Sequence, residues 1–201
     1  MKVVLVGKPF KGLLFCNLAL VLLSSVLVAQ TDQRLHGSVE GHTYTDPRFG
    51  LRYTFPTDLE NLTSLPNGIP VGTGEKQGVS EFLFSAVEKQ NGHVRRGILI
   101  TTDPLGTFGA KDVPSYLRKL MVLSLGAKEP IEVRPVTIAD ETFSRTNINV
   151  GTGIVSYGAQ LSMLCRGEFL TFYFSGPTPE AVEALVNTLN QLSLNCPTGS
   201  Q

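Results

Sequence analysis

The chain has 201 residues, with 17 basic and 17 acidic side chains, no tryptophan and three cysteines. This charge balance, without a run of basic residues, excludes an electrostatic surface for nucleic acid or anionic lipid.

The N-terminal segment has the pattern of a secretory signal. Its only charges are three lysines, and residues 13–29 are apolar and carry no charge. We therefore predict a signal peptide over 1–29, cleaved after Ala29, and an exported protein, periplasmic or extracellular. The alternative is an uncleaved membrane anchor, because the stretch approaches the lower limit of about 17 residues for a span. Cleavage leaves 14 basic and 17 acidic residues, a net charge of −3.

The remaining chain fits one domain with loose ends. Residues 30–42 are polar and predict a flexible leader, 43–196 predict a single α+β domain, and 197–201 predict a disordered tail.

The first part of the domain alternates apolar and polar residues. This pattern at 51–55 predicts a half-buried strand that pairs with 43–45 through an Asp-Pro turn. Residues 57–78 are rich in Pro, Gly, Asn and Thr and predict a long loop. Loops of this length are uncommon unless they are functional or mobile.

The middle of the chain predicts a hairpin followed by a helix. Strands at 79–87 and 95–102 flank Asn91-Gly92, a strong hairpin signal, although the flanks imply a connection longer than two residues. Asp112 is placed to cap a helix that has Pro114 in its first turn and ends at Gly126.

The C-terminal part predicts a sheet covered by a helix. Strands at 131–138 and 142–150 have weak patterns, whereas 154–165 alternates strictly. The turn at Arg166-Gly167 leads into 169–174, which is apolar on both faces and so predicts a central strand. Thr178 then caps a final helix that starts at Pro179 and keeps apolar spacing through Leu192. These elements predict an α+β fold with a mainly antiparallel sheet.

Two stretches resemble the PsbP-like family of lumenal and small secreted proteins. They are RFGLRYTFP at 48–56 and the closing strand, capped helix and SL ending within 167–194. The resemblance implies an αβα sandwich, a sheet flanked by helices, and a binding or assembly role more often than an enzymatic one. Many relatives carry tryptophan just after the proline, where this chain has Thr57. No metal-binding or partner-binding residue of the family matches a position here.

Motifs for catalysis, cofactors and metals are missing from the sequence. His36, His42 and His93 lie in a polar leader and a hairpin turn, without the spacing of metal ligands. The glycine pairs at 71–78 and 150–158 do not join a strand to a helix, as a phosphate cradle requires. We therefore predict no catalytic, cofactor-binding or metal-binding residue and no cofactor.

The carboxylates and serines have structural explanations. Ser156 lies within a predicted strand and fits no nucleophile elbow. Turn and cap roles account for Asp103 and Asp112. The sequon at 61–63 indicates an exposed loop.

A disulfide between Cys165 and Cys196 is predicted. They are the only cysteines left after signal removal, and an exported chain meets an oxidising compartment. The strand from 168 runs about 23 Å away from the turn at ~3.3 Å per residue. The helix from 179 returns about 21 Å at ~1.5 Å per residue, which brings Cys196 back beside Cys165. Two neighbouring thiols are the alternative.

The missing motifs favour a non-enzymatic binding or scaffolding domain, whose partner is an unknown envelope protein or a small ligand. The loops 57–78 and 103–111 are its predicted contact regions. One alternative is an envelope hydrolase with a site of scattered polar residues. Another is a carrier of a small apolar ligand, which requires a cavity between sheet and helix. We expect no nucleic-acid partner, and membrane association only if the N-terminal segment stays uncleaved.

Overall fold

The computed structural model describes residues 37–63, 80–126, 130–149 and 157–196. The predicted signal peptide at 1–29 and the predicted tail at 197–201 lie outside these ranges, as do His36 and Ser156. So do residues 64–79, which include most of the predicted long loop and its glycine pair, and most of the second glycine pair at 150–158.

A small antiparallel sheet comes first in the chain. Its strands are β1 (Ser38–Glu40), β2 (Thr43–Asp46) and β3 (Leu51–Thr54), in that order. The pairing of β2 with β3 confirms the predicted first hairpin. β1 corrects the predicted leader, because paired structure already begins at Ser38 rather than after residue 42.

A larger sheet follows, in which all neighbouring strands are antiparallel. The strands of this sheet are β4 (Glu60–Asn61), β5 (Glu81–Gln90), β6 (His93–Pro104), β7 (Arg134–Ile138), β8 (Glu141–Asn149), β9 (Tyr157–Cys165) and β10 (Glu168–Gly176). Their order across the sheet is β4-β5-β6-β10-β9-β8-β7, so the predicted central strand, β10, is the fourth of seven.

Two-residue turns join three pairs of these strands. Asn91 and Gly92 both have positive φ, 52° and 79°, and they alone connect β5 with β6. The prediction of a longer connection was therefore wrong. Positive φ at both residues gives the turn a twist that matches the twist of the flanking strands, so strand pairing continues up to the turn. Arg166 and Gly167 form the predicted turn between β9 and β10 in the same way, with φ of 54° and 83°.

Helix α1 (Val113–Leu125) covers one face of the large sheet. Asp112 caps it as predicted, since its Oδ1 accepts a hydrogen bond of 2.7 Å from the Ser115 N–H. Gly126 ends the helix with a left-handed backbone. Tyr116 stacks on Phe169 of β10, with ring centroids 4.2 Å apart.

Helix α2 (Pro179–Val186) and the small sheet lie on the opposite face. β10 alternates, so Phe169 faces α1 whereas Leu170, Phe172 and Phe174 belong to the core formed with α2 and β3. The helix was predicted through Leu192, but it changes after Val186 into a 3₁₀ turn (Asn187–Gln191) that keeps Leu189 buried.

The predicted long loop at 57–78 also needs correction at its start. Glu60 and Asn61 form β4 and pair with β5, and the neighbouring Leu59 is only 2% exposed. The fold class is nevertheless as predicted: an α+β domain with a mainly antiparallel sheet and helices on both of its faces. In the described ranges, no helix is long and apolar enough to cross a membrane.

Candidate functional site

A pocket of about 210 Å³ lies where β8 and β9 meet the first turn of α2. It is on the face of the large sheet that α2 covers. The residues that line it include Arg145, Asn147, Asn149, Tyr157, Val182 and Glu183.

The strand register builds the floor of this pocket. Arg145, Asn147 and Asn149 are alternate residues of β8, so their side chains share one face. The register with β9 places Tyr157 directly opposite Asn149. The floor therefore carries polar side chains beside an aromatic ring, although carbon makes up most of the pocket lining.

The first turn of α2 builds the wall. Thr178 caps the helix as predicted, since its Oγ1 accepts a hydrogen bond of 3.2 Å from the Ala181 N–H. Pro179 takes the first helical position, where its missing N–H costs nothing. Val182 and Glu183 follow one turn later and face the pocket, so the wall combines apolar carbons with one carboxylate.

A charge pair connects floor and wall. Arg145 is only 7% exposed, and its guanidinium donates from both terminal nitrogens to the Glu183 carboxylate, with Nη1 3.0 Å from Oε2. Its Nε donates to Asn147 Oδ1 at 2.9 Å. The hydrogen bonds from Arg145 lower the pKa of Glu183. The pair is thus ionised at neutral pH, and its two charges compensate each other.

A second polar cluster lies under α1 and is closed to solvent. The Asp103 carboxylate is fully buried and accepts hydrogen bonds from Ser80 Oγ at 2.7 Å and from the Tyr116 hydroxyl at 2.6 Å. Burial raises the pKa of Tyr116. Asp103 belongs to β6 and not to a turn, which corrects the role predicted for it. Because the side chains of Asp103, Ser80 and Tyr116 are all buried, we assign this cluster a structural role.

The predicted disulfide is present in the structure. Cys165 and Cys196 are bonded, with their Cα atoms 5.1 Å apart, beside the Arg166-Gly167 turn. The segment that carries Cys196 also pairs with β3 through two backbone hydrogen bonds between Arg52 and Ser193, of 2.9 and 3.0 Å. The bridge therefore fastens the C-terminal segment where both sheets meet.

The other sequence candidates do not gather into a site. His42 packs edge-on against Phe55, and His93 is exposed at the start of β6. Asn61 of the sequon is exposed in β4. Within the residues that the structure describes, no group of three or more His, Cys, Asp or Glu side chains is placed to hold a metal ion.

Sequence reasoning assigned none of the pocket-lining residues to a site. The signal was the stretch RTNIN at 145–149, where three alternate positions of a strand are polar. Its weak apolar pattern was interpreted only as a less certain strand. The partner of Arg145 lies 38 residues later, on helix α2.

The sheets and helices form an α+β domain with an open pocket where the large sheet meets helix α2. No protein-family model and no curated protein matches the chain. Among solved structures, the chain is similar to the solution structure of cyanobacterial PsbP (CyanoP) from Synechocystis sp. PCC 6803. The identity is 14% and the TM-score 0.49, over 79% of this chain and 98% of the other.

Proposed function

We propose that the protein is an exported, non-enzymatic binding domain whose site is the pocket between β8, β9 and α2. The observation that carries this proposal is the ion-paired arginine on the pocket floor. Arg145 is held in place by Glu183 and Asn147, so the floor has a fixed arrangement of hydrogen-bonding groups before any ligand arrives. Sites of this kind bind without first ordering their own side chains, which favours affinity.

Export is supported by the disulfide and by the signal-like N-terminus. Disulfides persist in oxidising compartments such as the periplasm and the extracellular space, and they are rare in the cytosol. The bridge between Cys165 and Cys196 therefore fits a chain that leaves the cytoplasm. Anchoring through an uncleaved N-terminal segment remains the alternative form of the same proposal.

Binding is favoured over catalysis by the state of Glu183, the one carboxylate among the described residues that line the pocket. A general acid or base works best with a pKa near the working pH. The Arg145 hydrogen bonds shift the pKa of Glu183 downwards, away from neutrality. Glu183 is thus a poor proton donor and a weak base, which counts against the hydrolase alternative.

For the hypothesis of an apolar-ligand carrier, one observation is favourable and another is unfavourable. A pocket between sheet and helix is what that hypothesis requires, and Val182 and Pro179 supply apolar walls. The floor, however, also carries the exposed Asn147, whose amide nitrogen a purely apolar ligand would strip of water without offering a hydrogen bond in return. We therefore propose a small ligand with hydrogen-bonding groups, rather than a lipid chain.

The test is a fragment screen by amide NMR on the purified domain. Asn147→Trp fills the pocket mouth from an exposed strand position, and Asn190→Trp is the matched control on the 3₁₀ turn after α2. We expect small one-ring fragments to shift amide signals of β8, β9 and the first turn of α2. Asn147→Trp should abolish these shifts, and Asn190→Trp should keep them.

Circular dichroism establishes that each variant is folded, and Asn147→Leu replaces the tryptophan variant if the latter fails this check. Shifts that persist unchanged in the folded Asn147 variant would place binding elsewhere and overturn the proposal. Turnover of any substrate that is abolished by a single substitution would overturn its non-enzymatic part.

A further inference from the structure

The pocket combines three properties that together restrict the chemistry of its ligand: compensated charge, a hydrogen-bonding floor and an apolar wall. The inference drawn from them rests on the proposed function, because it names the ligand class of the same pocket.

The compensated charge argues against an ionised ligand. Three of the five N–H groups of Arg145 are used in hydrogen bonds to Glu183 and Asn147. A ligand carboxylate would approach the Glu183 carboxylate, and a ligand ammonium would approach the Arg145 guanidinium. Either ion would also lose its hydration without gaining an unpaired counter-charge.

The floor argues against a hydrocarbon, and the wall argues against a ligand that is polar all round. Asn147 uses its Oδ1 to hold Arg145, and the remaining hydrogen-bonding group of this side chain is its amide nitrogen, a donor. Val182 and Pro179 present only carbon, and the ring of Tyr157 adds an aromatic surface. A matching ligand has one apolar face and a hydrogen-bonding edge.

The size of the pocket limits the ligand to one ring. Its volume of about 210 Å³ is below the range of roughly 300–1,000 Å³ for sites that enclose drug-sized molecules. We infer that the pocket binds a neutral pyranose ring, either as a free sugar or as the end of a glycan. Such a ring has hydroxyl groups that both donate and accept around its edge. Its C–H face carries partial positive charge that suits the negative face of an aromatic ring such as Tyr157.

The experiment is a set of amide NMR titrations with four probes: methyl α-glucoside, glucuronate, cyclohexanol and maltotriose. We expect methyl α-glucoside to shift pocket amides with millimolar affinity, and glucuronate and cyclohexanol to bind more weakly. Asn147→Leu should weaken the glucoside about three- to tenfold, the effect of one lost hydrogen bond. The matched control Asn190→Leu should leave its affinity unchanged.

The outcomes separate this inference from the proposed function. If cyclohexanol or glucuronate binds the pocket more tightly than the glucoside, the pyranose assignment is wrong and the pocket remains a binding site. If no probe and no fragment shifts the pocket amides, both are wrong. Tighter binding of maltotriose than of the glucoside identifies the ring as a glycan end, and equal binding identifies a free sugar; either result supports the inference.

Discussion

Removing the disulfide tests how the C-terminal segment is held. In the double variant Cys165→Ser/Cys196→Ser, the unfolded chain regains the freedom that the bridge removes. For a sequence separation of 31 residues, the loop-entropy relation gives a loss of about 3.7 kcal/mol in the free energy of unfolding. This is a large part of the total stability of ~5–15 kcal/mol that a domain of this kind has.

The native contacts around the bridge explain why the folded structure should survive. Arg52 and Ser193 keep their two backbone hydrogen bonds, and the Asn195 N–H still donates to the Phe49 carbonyl at 2.8 Å. The effect should therefore appear mainly in the unfolded state. We expect a lower midpoint in urea and a larger denaturant slope, because the uncrosslinked unfolded chain exposes more surface.

The assay is urea unfolding followed by circular dichroism, with and without reductant. The reductant should destabilise the wild-type protein and leave the double serine variant unchanged. A loss below about 1 kcal/mol with an unchanged slope would show that the bridge does not constrain the unfolded chain as the relation assumes. Two free thiols in denatured, non-reduced wild-type protein would show that no bridge forms.

Three further predictions concern buried and paired groups. Tyr116→Phe removes one of the two described hydroxyl donors to the buried Asp103. It should lower the free energy of unfolding in urea by about 1–3 kcal/mol, and a decrease below about 0.5 kcal/mol would contradict the structural role of this cluster. The pKa of Glu183 is lowered below its ordinary value of 4.5, so its stabilising effect is present above that pH and is lost as the pH falls through the folded-state pKa. Glu183→Gln should therefore flatten the acid limb of the stability profile below about pH 4.5, and an unchanged limb would contradict the ion pair. Burial raises the pKa of four tyrosines, Tyr44, Tyr53, Tyr116 and Tyr173. An ultraviolet titration of folded protein should therefore show at most one of the five phenols ionising near pH 10.

Local pattern was enough to predict the elements whose residues decide their own conformation. The alternation in β9 and the cap at Thr178 belong to this class, because side chains a few residues apart satisfy them. The disulfide was predictable for a related reason, since strand and helix lengths fix where the chain returns. The sequence did not predict strands β1 and β4, because strands of three and two residues are too short to show an alternation of apolar and polar side chains. They are strands because they pair with β2 and β5.

Local sequence patterns could not predict the pocket, for a physical reason. Arg145 and Glu183 are each ordinary surface residues until β8 and α2 come together, and only their contact turns Arg145 into a buried, ion-paired group. Asp103 is a similar case, because its donors come from Ser80 and from helix α1. In both clusters the polar residues are visible in the sequence, but the sequence does not show which distant residues become their hydrogen-bond partners in the fold.

The buried charge of Arg145 is itself an argument for a function at this pocket. The guanidinium of Arg145 is desolvated although the side chain of Glu183 is 48% exposed, and replacing such a pair by well-packed apolar residues of similar volume is often neutral or stabilising. The core of this face of the sheet follows that solution, since Leu161, Phe172 and Leu185 are apolar and fully buried. Packing alone would therefore place an apolar side chain at position 145. An arginine held there by Glu183 and Asn147 is not required for packing, and positioning hydrogen-bonding groups for a ligand is the property that it adds.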